Sequence, residues 1–152
     1  LLIDELGLRP GHPALLARMP EDGPFVLGLP GNPLAAMTTL MLLGAPLLAG
    51  LGGNVIPPLT TVRLTRELPA SKTDRLAPGL AFVAGAAVSG TTITDLSEDA
   101  DAQGTELPSA VALSRAGSDQ LRGFSQANVL LLIPADGVRP GEPVQALPLP
   151  WL

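Results

Sequence analysis

Two Pro-Gly turns carry the residues best suited to hold an anion. The first is Arg9-Pro10-Gly11-His12-Pro13; the second, Pro30-Gly31-Asn32-Pro33, lies in the stretch 28–36. Arg9 offers a rigid fork of N–H donors and His12, the only histidine in the chain, one or two ring N–H groups. In the second turn Asn32 is a good helix N-cap, and Pro33 suits the first helical position, where its missing N–H costs nothing. Gly31 permits a sharp turn and close approach of a ligand to the backbone. Such a loop aims unpaired N–H groups and the positive end of a helix dipole at one spot. It is neither a Walker phosphate loop, since no Gly-Lys-Ser/Thr follows, nor a dinucleotide fingerprint, since the glycine spacing differs. The plainer alternative is a strand-to-helix turn preceded by a solvated surface turn.

The neighbouring elements must position these turns. Phe25-Val26-Leu27 reads as a strand, and the uncharged run after it as a buried helix from Pro33 to about Leu43. A break is expected near Gly44-Ala45-Pro46, with a final turn ending at Gly52-Gly53. About 20 apolar residues can cross a bilayer, but the glycines, Pro46 and the absence of close basic flanks favour a core helix, with no membrane partner. At the start, residues 1–7 read as the last turns of an amphipathic helix capped by Gly7, running directly into the first Pro-Gly turn. Val55-Ile56-Pro57-Pro58 reads as a linker, and period-two alternation begins beyond it. Residues 61–68 place Val62, Leu64 and Leu68 on one face; further strands are expected at 81–88, 91–96, 110–113, 129–133 and 144–149. The sequence therefore divides into an α/β part, residues 1–53, and a small all-β barrel or sandwich, residues 54–152. The acidic run Asp95, Glu98, Asp99, Asp101 and Glu106 reads as a solvated loop, with no metal role.

Composition narrows the function classes. The 152 residues are 46% hydrophobic but include only three Phe, one Trp and no Tyr, so the cores must be aliphatic. Seventeen Gly and seventeen Pro imply many turns. Without cysteine there is neither a disulfide nor a thiolate metal site, which is compatible with a reducing cytoplasm. A net charge of −5 argues against nucleic acid as the main partner. No signal-peptide pattern is present.

The two turns together resemble the Lys-Pro-Gly-Lys-Pro and Gly-Leu-Pro-Gly-Asn-Pro-Val-Ser pair of the molybdopterin molybdenumtransferases, the MoeA and gephyrin E-domain family. Residues 117–135, from Gly117-Ser118 through Ala127-Asn128 to an apolar strand ending at Pro134, resemble that family's C-terminal signature. The three motifs run in the family's order over nearly the whole chain. The resemblance implies the C-terminal part of a three-layer α/β, MogA-like domain followed by a β-barrel domain. It also implies an extra strand before the first Pro-Gly turn, for which the sequence leaves no room between Gly7 and Arg9: either this protein lacks that strand, or residues are missing between the two, the second being the favoured reading.

What the resemblance implies about function is specific. The family inserts molybdate into adenylylated molybdopterin and releases AMP with the help of a divalent cation. The expected substrate-binding residues are Arg9, His12, Pro13, Pro30, Gly31, Asn32 and Pro33, joined by Lys72 and Arg75 from a basic loop and by the Ser118 hydroxyl. Arg9 and His12 replace two family lysines; a histidine, unlike arginine, is charged over only part of the pH range. Ala35 stands where the family often has serine. The carboxylates that hold Mg2+ are expected in upstream family segments, so no catalytic residue is assigned in this chain. Glu21 and Asp22 are the only carboxylate pair near either turn. A homodimer, a cytoplasmic location and contacts with other molybdenum-cofactor biosynthesis proteins follow from the same resemblance. Two other classes stay open: a non-catalytic scaffold on this fold, and an unrelated anion-binding module.

Overall fold

The computed structural model describes residues 1–7, 9, 13–56, 58–89, 106–113 and 120–150. His12, Ser118, the expected strand at 91–96 and the acidic run as far as Asp101 lie outside them. The chain divides into two compact units, Leu1–Ile56 and Pro57–Leu152.

In the first unit, strands β1 (Leu15–Arg18) and β2 (Phe25–Gly28) form an antiparallel hairpin with Leu15 opposite Gly28 and Arg18 opposite Phe25. The loop between them is clamped from one side: the Arg18 guanidinium lies 3.3 Å from the Asp22 carboxylate and 5.3 Å from the centre of the Phe25 ring. Residues 1–7 are not the helix end expected from their pattern. Ile3 instead bridges to Leu16, with Leu2 N–H and Ile3 N–H donating to Leu16 O and Leu16 N–H to Ile3 O. A helix of under two turns gains few internal bonds for its costly nucleus, whereas the edge of β1 offers ready partners.

The apolar run folds as one helical segment in three parts: α1 (Pro33–Thr39), a π-helical turn (Leu40–Gly44) and α2 (Ala45–Leu51). The break expected near Gly44-Ala45-Pro46 is therefore a change of hydrogen-bond register rather than an end. Pro46 has no N–H, and in a regular helix its ring would press on the carbonyl four residues back. The wider turn relieves this, with Ala45 N–H reaching back five residues to Leu40 O. The helix ends in a Schellman motif: Asn54 N–H bonds Ala49 O and Gly53 N–H bonds Gly50 O, with Gly53 at φ +68°. Leu34, Ala35, Thr38, Thr39 and Gly44 are its buried residues. Gly44 lets the helix approach the hairpin, since a Cβ there would sit 3.2 Å from Leu27.

The second unit is a small closed barrel. Its strands are β3 (Thr60–Leu64), β4 (Arg75–Val83), β5 (Ala86–Ala87), β6 (Ser109–Ala112), β7 (Val129–Ile133) and β8 (Pro143–Pro148). Neighbours run β4-β6-β3-β8-β7, and β7 pairs again with β4, which closes the ring; β5 is a short hairpin on the end of β4. Among the described strands only β3 and β6 pair in parallel. A short helix, α3 (Gln120–Gln126), precedes β7. The core is aliphatic, as composition requires: Val62, Leu64, Ala77, Ala81, Ala110, Val129, Leu131, Ile133, Val138, Val144 and Ala146.

Three differences from the sequence expectation have physical causes. The first strand stops at Leu64, yet Leu68 still packs on the core and exchanges both backbone hydrogen bonds with Val138. β4 begins at Arg75, not at 81, and runs through a buried proline. Pro78 is tolerated because β6 ends at Ala112; beyond it Leu113 N–H donates to Pro78 O, and no donor is required of Pro78 in return. Gly79, which pairs with both Ala112 and Val129, marks the corner: a Cβ there would lie 2.6 Å from Leu131. The expected strand 81–88 is a tight hairpin turned by Ala84 and Gly85, both at positive φ.

Candidate functional site

The hairpin register places the start of β1 and the end of β2 side by side. Pro13 stands two residues before β1 and Pro30 two residues after β2. With Leu15 opposite Gly28, both emerge at the same end of the hairpin. Pro30 is buried, while Arg9, Pro13, Gly31, Asn32 and Pro33 are exposed. Asn32 caps the helix as its chemistry suggests: at φ −75° and ψ 127° its Oδ1 accepts from Ala35 N–H at 3.0 Å, and its carbonyl accepts from Ala36 N–H. Gly31 does not adopt a positive φ, and a Cβ added there would meet nothing within 4 Å. Its small size leaves open space beside the loop rather than relieving strain. Glu21 and Asp22 occupy the connecting loop at the opposite end, four strand residues or about 13 Å away. They cannot serve the turns directly.

The barrel presents its basic residues on a pinned loop. Ser71 N–H donates to Ala135 O at 2.7 Å, and Ala135 N–H donates to the Asp74 carboxylate at 2.8 Å. The Ser71 hydroxyl closes the tip by donating to Thr73 O at 2.6 Å. Lys72 lies exposed within this tip. Arg75, half-buried at the start of β4, donates from Nη2 to Pro69 O at 2.7 Å, so part of its fork already serves the loop. Lys72 is therefore the freer cation of the two. The pinning role of Asp74 escaped sequence reasoning, since its partner Ala135 is remote in sequence.

A shallow groove of about 340 Å3 lies beside this loop, lined by Glu67, Leu68, Pro69, Asp136, Gly137, Arg139 and Glu142 among others. Glu142 is engaged, accepting from Arg139 N–H at 2.8 Å. Among the described residues no group of three His, Asp or Glu side chains could hold a metal ion.

No family model matches the sequence, and no curated protein matches it. Solved structures do. A molybdopterin biosynthesis MoeA protein from Pyrococcus horikosii superposes with a TM-score of 0.64 at 22% identity, over 97% of this chain and 31% of that one. A second, from Pyrococcus horikoshii OT3, gives 0.62 at 18% identity over 97% and 32%. The chain spans about a third of the length of these proteins. The likeness suggested by three short motifs is thus met in the fold, which is that of a MoeA segment.

Proposed function

We propose that this chain is the C-terminal portion of a molybdenum-cofactor biosynthesis enzyme, a molybdopterin molybdenumtransferase, and that it contributes anion-binding groups to that enzyme's substrate pocket. The observation that carries the reading is the hairpin end shared by Pro13, which leads into β1, and Pro30, which follows β2, next to the start of the helix at Pro33. Molybdate is a dianion, and the phosphates of an adenylylated pterin are anionic too. Charged donors and oriented N–H groups are the chemistry both require. In this reading Arg9, His12, Pro13 and residues 30–33 are the anion-binding groups of the first unit, and Lys72, Arg75 and Ser118 are those contributed by the second. The hairpin and single helix of the first unit belong to a larger three-layer α/β domain, homodimeric and cytoplasmic in the intact enzyme. Among the described residues no three His, Asp or Glu side chains could hold a metal ion, and in this reading the carboxylates for magnesium come from upstream segments of the enzyme.

Isothermal titration of the protein with molybdate, with sulfate and phosphate as controls, tests the reading. Arg9→Ala should weaken molybdate binding by about 1–3 kcal/mol, the range for a lost charged hydrogen bond. Unchanged affinity would reduce the first motif to a structural turn. Equal affinity for all three anions would favour a general anion-binding module.

A further inference from the structure

We draw no further inference here: the strongest candidate, the exposed apolar face that Leu48, Leu51, Val55 and Ile56 present at the end of the first unit's helix, carries nothing because nothing in the structure shows what covers it.

Discussion

The carboxamide of Asn128 takes the place of a strand residue opposite Ala81. Ala81 N–H donates to Asn128 Oδ1 at 2.7 Å, and Asn128 Nδ2 donates back to Ala81 O at 2.8 Å and to Val88 O at 2.7 Å. On this edge of β4 the pairing with β7 ends at Gly79 and the pairing with β5 begins at Phe82. Between them Ala81 has on this edge only a long backbone bond, Val88 N–H to Ala81 O at 3.4 Å. The side chain fills that gap while the Asn128 backbone continues the ladder, N–H to Gly79 O and carbonyl to Leu149 N–H. The residue is 1% exposed, and both side-chain bonds to Ala81 are buried, while the one to Val88 is part-buried.

Asn128→Leu should therefore cost about 2–4 kcal/mol in urea unfolding, because it orphans a buried N–H and removes three bonds. Asn128→Asp keeps the acceptor but turns a carboxylate toward two carbonyl oxygens, and should cost at least as much. A wild-type midpoint for the aspartate variant would show that the donor half of the amide is dispensable.

Gly137 and Gly141 separate backbone strain from crowding. Both have similar positive φ, +82° and +88°. A Cβ on Gly137 would sit 2.6 Å from Leu68 O and 2.8 Å from Ala70 N, whereas one on Gly141 would meet nothing within 4 Å. Gly141→Ala should cost about 1–2 kcal/mol from conformation alone. Gly137→Ala should cost distinctly more, since backbone atoms rather than a flexible side chain must move. Equal losses in thermal unfolding would mean that the Leu68–Val138 bridge yields easily.

At the second Pro-Gly turn, stability and binding should part company. Asn32→Ala should cost about 1 kcal/mol through the lost cap, and Asn32→Asp, which keeps the accepting oxygen, should restore it. Gly31→Val meets open space and no positive φ, so its stability should stay within about 0.5 kcal/mol. Its molybdate affinity should fall nonetheless, because the valine occupies the room beside the loop. A valine variant that titrates like the wild type would remove Gly31 from the site.

Thr38 and Thr39 are buried in the helix, and among the described residues their hydroxyls have no hydrogen-bond partner. A buried hydroxyl without a partner carries a desolvation penalty of about 1–3 kcal/mol. Thr38→Val, close in shape, should leave stability unchanged or raise it in chemical denaturation. A loss above about 1 kcal/mol would identify a partner for that hydroxyl, which the apolar reading of this helix does not include.

Much of the candidate site is legible in the sequence because its signals are local. A cap, a proline at the first helical position and a strand before the turn need only a few adjacent residues, and Asn32, Pro33 and the Phe25-Val26-Leu27 run behave accordingly. The barrel strands at Val62 and Leu64, through their alternation, and from Val129 to Ile133, as a continuous apolar run, are legible for the same reason. Long-range compensation is what hides the rest. Pro78 lies inside a strand because β6 stops short of it, and Pro46 inside a helix because the register widens around it. Asp74 and Asn128 look like loop residues until Ala135 and Ala81 are brought beside them. The opening segment shows the converse: its helical pattern loses to the open edge of β1.

Ring closure also sets an order of events at the ribosome. β3 is the first strand of the barrel to be synthesised and β8 the last, yet they are neighbours, with Thr60 opposite Ala146 and Val62 opposite Val144. β4 likewise waits for β7. Such non-local pairing slows folding, because the loop entropy is lost before the contacts form. The nascent barrel must hold Val62 and Leu64 without their final neighbours until β8 has emerged. Its vulnerable interval for misassociation thus runs from the synthesis of β3 to that of β8, and a chaperone that shields short aliphatic strands would act there.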